Sequence, residues 1–229
     1  MQSGQVIQVY IAPARALHPE DYALLTAEEE DQAARFHFEK DRRLFVLARC
    51  ILRSALGNLL DVPPAAVRIH LGPNGKPELD AASGLTFNLS HSEDQIAVAI
   101  APNLRVGVDI EYHGRDIGID SIAQDYFCQK EIDSLRGSIE HTRTNFFRFW
   151  TLKEAYLKAV GIGLGVSLSS IDMSGVPLQS PGRPEFPDGD DWHGIHVQSL
   201  QAPAGYSAAV AAEGSQWRAE VVTWNWKNF

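Results

Sequence analysis

The sequence predicts a mixed helix-and-strand fold built as two repeated halves. Two long helical stretches, Asp41 to Leu60 and His141 to Val160, begin about 100 residues apart. Each is followed by a strand, a turn rich in Pro or Gly, and a strand pair ending in an Ala- and Val-rich run, Ile96 to Ala101 and Ala208 to Ala212. The chain has 229 residues, 45% hydrophobic and 21% charged. That suits one large globular domain or two small ones at roughly 150 residues per domain. Element order puts the joint near Pro102-Asn103, giving halves 1–103 and 104–229. Residue identity between the halves is low, so the repeat rests on element order alone.

The elements follow in order. Val6 to Ala12 alternates as a strand. Thr26 to Arg35 opens with Thr26 and carries Glu29 three residues later, a capping-box pattern. In the first long helix Phe45, Ala48, Leu52, Leu56 and Leu59 form one apolar stripe, and Asp61-Val62-Pro63-Pro64 stops it. Val67 to Leu71, Leu85 to Leu89, Gln95 to Ala101 and Val106 to Glu111 read as strands, with a turn at Asn74-Gly75. Asp120 to Phe127 and Gln129 to Leu135 read as short helices. Gly161 to Gly165 closes the second long helix; its GxGxG spacing follows a helix, so it is a stop and turn rather than a dinucleotide fingerprint. Leu168 to Met173, Gly194 to Leu200, Tyr206 to Ala212 and Trp217 to Trp224 read as strands, and Gln179 to Asp191 as an exposed loop. Trp217, Trp224 and Trp226 read as a packing cluster.

Composition excludes several classes of function. The longest apolar run, Ile96 to Ala101, is far short of the roughly 18–20 residues that cross a membrane. Met1 to Ala12 carries no Lys or Arg and no apolar leader core, so the expectation is a cytoplasmic protein. Cys50 and Cys128 fit neither a disulfide framework nor a zinc site and read as buried free thiols. A net charge of −9 argues against bulk nucleic-acid binding, but permits a local basic pocket for a small anion.

Three segments carry chemistry. In Gly107-Val108-Asp109-Ile110-Glu111, strand alternation puts Asp109 and Glu111 on one face. Adjacent carboxylates repel unless a cation or proton separates them, and a hard ion such as Mg²⁺ suits oxygen ligands. An edge strand with two solvated acids fits the pentapeptide equally well. In Trp150-Thr151-Leu152-Lys153-Glu154-Ala155-Tyr156-Leu157-Lys158, Glu154 and Lys158 share a helix face. Such a pair is usually solvated; facing the Asp109–Glu111 strand, it would complete a site for a metal-bound phosphate ester. In Phe87-Asn88-Leu89-Ser90-His91-Ser92, His91 alone reads as a loop histidine; with Gly75-Lys76-Pro77 upstream it lines an anion pocket.

Together, Gly75-Lys76-Pro77, Phe87 to Ser92, Gly107 to Glu111 and Trp150 to Lys158 resemble the 4′-phosphopantetheinyl transferases of the surfactin-synthetase type, in that family's order and approximate spacing. The resemblance covers residues 26–173 well and the rest by layout. It implies an α+β fold of two pseudo-repeated halves, each a small, mostly antiparallel sheet on a long helix, with the active site at their interface. The implied reaction moves phosphopantetheine from coenzyme A to a serine of an acyl, polyketide or peptidyl carrier protein, releasing 3′,5′-ADP. By resemblance, Asp109, Glu111 and Glu154 hold Mg²⁺, Glu154 also serves as base, and Lys158 contacts the phosphate. Gly75, Lys76, Pro77, Ser90 and His91 hold the nucleotide end, and the chain is a monomer.

The sequence departs from the family in its early helix. Glu28-Glu29-Glu30-Asp31-Gln32 is acidic where relatives often carry basic residues, leaving Arg35 and Arg49 as candidates for the 3′-phosphate. Tyr126, Phe127 and Leu135 lie where a carrier-docking patch is expected and read equally as core. The competing readings are a non-catalytic carrier or coenzyme A binder of the same fold, and a metal-dependent phosphohydrolase, which leaves Lys76, Ser90 and His91 unexplained.

Overall fold

The computed structural model describes residues 4–72, 75–161, 167–186 and 193–226. In the first half, strand β1 (Gln5–Pro13) leads through short helices α1 (Pro19–Tyr22) and α2 (Ala27–Ala34) into the long helix α3 (Glu39–Leu60). A hairpin of β2 (Ile69–Leu71) and β3 (Pro77–Leu79) precedes β4 (Leu85–Ser92) and β5 (Gln95–Pro102). The second half repeats the plan. Strand β6 (Val106–Tyr112) leads through α4 (Ile119–Tyr126) and α5 (Gln129–Ser134) into α6 (Ile139–Val160), then β7 (Ile195–Leu200) and β8 (Tyr206–Glu213). A last strand, β9 (Trp217–Thr223), follows.

The sheet orders are β4-β5-β1-β9 and β6-β8-β7. Strand β5 lies antiparallel between β4 and β1, and β8 lies antiparallel between β7 and β6. The α+β architecture of two small, mostly antiparallel sheets is therefore present. Strand β9 breaks the symmetry: it pairs parallel to β1 and carries the tail of the second half onto the first sheet.

Alternation along the strands builds four layers. Ile7, Val9 and Ile11 of β1, Ala97, Ala99 and Ala101 of β5, and Val106, Val108 and Ile110 of β6 fill the space between the sheets. The alternate residues face the helices: Ala12, Ile96, Val98 and Ile100 meet Leu44, Leu47, Ile51 and Leu52 of α3. Ala209, Ala211, Ile195 and Val197 meet Leu152, Ala155 and Ala159 of α6.

A corresponding buried ion pair occurs in each half. Thr26 caps α2 in a capping box with Glu29, whose carboxylate accepts from Arg53 of α3 at 2.6 Å. Cys128 and Glu131 form the same box on α5, and Glu131 pairs with Lys153 of α6 at 2.9 Å. Arg53 also donates to the carbonyls of Pro64 and Val67, and Lys153 to those of Leu168 and Ile171; each set flanks a 3-10 turn. Such pairs are strongly destabilising when halved, because the survivor is a buried, uncompensated charge.

Some expectations change. Leu168 to Met173 is not a strand: Leu168–Ser170 is a 3-10 turn, held by Lys153 and by Ser170 Oγ donating to the Ser167 carbonyl at 2.7 Å. Pro77–Leu79 is a strand that its short length concealed. Leu59 is exposed, and the apolar stripe of α3 runs instead through Leu44, Leu47, Ile51 and Ala55 as well as Leu52 and Leu56. Trp217 packs between the sheets, whereas Trp224 lies edge-on to Tyr10 at 5.6 Å and to Trp226 at 6.1 Å, so the tryptophans form no single cluster. Cys50 is buried, but Cys128 is only half-buried; both are free. Asn74, residues 162–166 of the glycine turn and residues 187–191 of the acidic loop lie outside the described residues. No helix among the described residues is long and apolar enough to cross a membrane.

Candidate active site

The two sheets adjoin along the edges of β4 and β6, and side chains replace the missing backbone ladder. Asn88 Oδ1 accepts from Val108 N at 3.0 Å, and Ser92 Oγ accepts from Tyr112 N at 3.1 Å. Between them Ser90 Oγ donates to Asp109 Oδ1 at 2.8 Å, and Ser92 Oγ donates to Glu111 Oε2 at 2.7 Å. Asn88, Ser90 and Ser92 share one face of β4 by alternation.

Gly107 sets the approach of α6 to β6. A Cβ there would meet the Ala155 carbonyl oxygen at 2.1 Å and the Ala159 nitrogen at 2.5 Å. That contact brings the Glu154–Lys158 face of α6 over the strand. Lys158 Nζ lies 2.7 Å from Asp109 Oδ1, 3.1 Å from Ser90 Oγ and 3.1 Å from the Val108 carbonyl. The solvated reading of the Gly107 to Glu111 segment is thereby overturned at Asp109, which is 3% exposed.

A cavity of about 570 Å³ opens here between α3 and α6. Asp109, Glu111, Glu154 and Lys158 line one side with Trp150; Ser90 and His91 line the seam; Arg49 and Phe45 of α3 line the opposite side with Phe36. Of the residues expected at the site, all but four converge on this cavity. Arg35 is exposed at the C-cap of α2 and outside its lining. Lys76 and Pro77 line a neighbouring cavity of about 420 Å³, and Lys76 Nζ donates to the Lys158 carbonyl at 3.2 Å. Gly75, at φ 71°, forms the turn before them.

The electrostatics follow from crowding and burial. Burial raises Asp109 against the opposing pull of Lys158. Burial also raises Glu154, and the neighbouring Asp109 and Glu111 carboxylates add to it. His91 and Lys76 are lowered, first by burial and then by the Lys158 charge (Asp41 and Glu111 oppose this at His91, Glu78 at Lys76). Among the residues lining this cavity, two polar atoms are buried without a hydrogen-bond partner: Asp109 Oδ2, an acceptor, and Arg49 Nη1, a donor. Glu29 lies 3.4 Å from Arg49 Nε and leaves that second nitrogen free. An orphan acceptor among three carboxylates fits a hard cation, and an orphan guanidinium nitrogen fits an anion.

The pocket carboxylates are nonetheless spread apart. Among the described residues, the one group of three or more ligand atoms all within 4.8 Å of one another is Cys128, Glu131 and Asp172, on the far side of α6. Lys153 and Lys130 already neutralise its carboxylates, at 2.9 Å each. Nothing in the sequence signalled this group, because Glu131 falls in the short helix read at Gln129 to Leu135 and Asp172 in the strand expected at Leu168 to Met173. Of the expected docking residues, Phe127 and Leu135 are core, whereas Tyr126 is exposed and packs edge-on to Trp150 at 5.8 Å.

Comparison with known proteins identifies the family of the chain. Residues 105–211 match the 4'-phosphopantetheinyl transferase superfamily, and residues 12–103 match the 4'-phosphopantetheinyl transferase N-terminal family. The 4'-phosphopantetheinyl transferase HetI of Nostoc sp. is 39% identical over 161 residues, covering 69% of this chain and 68% of that one. The human L-aminoadipate-semialdehyde dehydrogenase-phosphopantetheinyl transferase is 31% identical over 163 residues, 66% of this chain and 53% of its own length. The crystal structure of Thermotoga maritima holo-[acyl-carrier-protein] synthase aligns over 48% of this chain and 62% of that chain, with 24% identity and a TM-score of 0.36. The chain belongs to the 4′-phosphopantetheinyl transferase family of enzymes.

Proposed function

We propose that this enzyme transfers the 4′-phosphopantetheine arm of coenzyme A to a serine hydroxyl of an acyl, polyketide or peptidyl carrier protein, releasing 3′,5′-ADP, with Mg²⁺ bound. The observation that carries this reading is the convergence of Asp109, Glu111, Glu154 and Lys158 with Ser90, His91 and Arg49 in one cavity. Asp109, Glu111 and Glu154 are the residues that would hold the ion, which supplies Lewis-acid neutralisation of the pyrophosphate oxygens.

The chain's own residues do the rest. Arg49, with its unpartnered nitrogen, receives a phosphate of the nucleotide end, and Ser90 and His91 add hydrogen-bonding groups beside it. A serine hydroxyl is a weak nucleophile and needs a base. Glu154 faces the cavity beside these groups and is the carboxylate assigned to take that proton. The serine oxygen forms a bond to the phosphorus carrying the pantetheine arm while its proton passes to Glu154. The bond from that phosphorus to the oxygen of 3′,5′-ADP breaks, and its electron pair leaves with the nucleotide. Lys158 donates to the phosphate as charge develops. Lys76, tied to the Lys158 carbonyl, steadies the end of α6 that presents this lysine. Both walls of the cavity come from one chain, which supports action as a monomer.

Intact-mass spectrometry of an apo carrier protein incubated with this enzyme, coenzyme A and Mg²⁺ tests the reading. A gain of about 340 Da, abolished by EDTA, is the expected result. No gain on fatty-acid, polyketide and peptide carriers overturns it in favour of a binding protein.

A further inference from the structure

The geometry points to Ser92 as a positioning residue for Glu111, an inference that rests on the proposed transfer chemistry. Ser92 ends β4 in the first half of the chain, is 6% exposed, and is not itself among the residues lining the cavity. Its hydroxyl is used in both directions. The oxygen accepts from Tyr112 N at 3.1 Å, which leaves the proton for Glu111 Oε2 at 2.7 Å. Because the acceptor side is fixed by a backbone amide of β6, the hydroxyl cannot rotate away without stranding that amide.

Arg115 Nη1 reaches the same carboxylate oxygen at 3.0 Å. Arg115 is half-exposed, so its hold is screened and mobile, whereas the hold of Ser92 is buried. Both fix Oε2, so Oε1 is the oxygen available to a ligand in the cavity. Ser90 treats Asp109 in the same manner, but Ser90 lines the cavity and Lys158 shares its hydroxyl. Ser92 is therefore the cleaner lever, since it touches the site only through Glu111. Partners that orient a metal-binding carboxylate typically account for 10- to 100-fold in metal affinity.

The test is direct Mn²⁺ binding to the intact protein, followed by the free-ion electron paramagnetic resonance signal, beside carrier-modification kinetics. Ser92→Ala is expected to weaken Mn²⁺ binding roughly tenfold. It should raise the metal concentration needed for half-maximal transfer by the same factor, and leave the KM for coenzyme A within about twofold. Ser92→Thr keeps the hydroxyl and should restore Mn²⁺ binding, which a role in packing alone would not predict. Wild-type affinity in a folded Ser92→Ala variant overturns the inference while leaving the proposed function standing. If Ser92→Ala does not fold, Ser92→Thr decides: it must match the wild type in Mn²⁺ binding, and weakened binding overturns the inference. A wild-type protein that neither binds Mn²⁺ nor modifies a carrier overturns the inference and the proposed function together.

Discussion

The two halves share a scaffold but not a chemistry. Each places a capping-box glutamate under its long helix and pairs it with a buried cation, Glu29 with Arg53 and Glu131 with Lys153. Each long helix ends in a left-handed cap, at Asp61 and at Gly161. The strands that run beneath these helices differ. Strand β1 turns Tyr10 and Ala12 toward α3, which is ordinary core. Strand β6 turns Gly107, Asp109 and Glu111 toward α6. The repeated parts are those a small sheet needs to hold a helix; the unrepeated parts are those the proposed transfer uses. The first half contributes Arg49 of its helix to the cavity, and the Asn88-Ser90-Ser92 face of β4 that hydrogen-bonds to β6; in the proposed reaction these residues hold rather than react.

The sharpest contrast is chemical. Glu154→Gln should remain folded yet reduce carrier modification by roughly a thousandfold, within the range assigned to general-base loss, and Asp109→Asn, which removes a carboxylate proposed to hold the ion, should remain folded and lose most of the activity. Full activity in either, with Mg²⁺ present, breaks the assignment of the chemistry to the second half. Lys158→Ala should lower turnover more than coenzyme A affinity, and an unchanged turnover counts against its role.

Next in size comes the shared scaffold. Glu131→Ala leaves Lys153 buried and unpaired, and Glu29→Ala does the same to Arg53. Each should cost about 3–5 kcal/mol in urea unfolding. Losses below about 1 kcal/mol in either would mean that the repeated pair is not a structural requirement of both halves.

A smaller effect is specific to one half. Gly107→Ala sets a methyl group against the backbone of α6, and overpacking of this kind typically costs about 1–3 kcal/mol. Strand β1 contains no glycine, so α3 has no counterpart to this contact. Thermal unfolding and transfer activity should fall together, because α6 carries both the packing and Glu154. Unchanged stability would contradict the close approach.

The smallest effect separates the cysteines. Burial raises the Cys50 thiol to about 12 and the Cys128 thiol to about 11. A raised thiol pKa lowers the thiolate at a given pH. At pH 8, three units below, about one Cys128 in a thousand is thiolate. Alkylation of Cys128 by iodoacetamide should rise about tenfold per pH unit from pH 8 to 10, with Cys50 slower throughout. Rapid labelling of either at pH 7 contradicts this.

Much of this was legible in the sequence because it was periodic. The long helices, the Thr26–Glu29 capping box of α2 and the alternating strands announce themselves through spacing. Asp109 and Glu111 were legible as a same-face pair, and Glu154 with Lys158 as a helix-face pair. That the two pairs meet was not, because it depends on Gly107 admitting α6, a contact between residues some fifty positions apart. The roles of Asn88 and Ser92 were hidden for a similar reason: they satisfy the edge of a strand in the other sheet. Leu168 to Met173 was misread as a strand because the Leu168 and Ile171 carbonyls accept from Lys153, and among the described residues its pairing with an extended neighbour is confined to the single Asp172–Glu185 bridge.

The division of labour between the halves is tested most directly by steady-state kinetics of carrier modification with coenzyme A varied, comparing Arg49→Met with Glu154→Gln. Arg49→Met should raise the KM for coenzyme A at least about tenfold with kcat within about threefold, whereas Glu154→Gln should lower kcat with KM little changed. The reverse pattern, or two variants that lose kcat alike with no change in KM, would contradict the account.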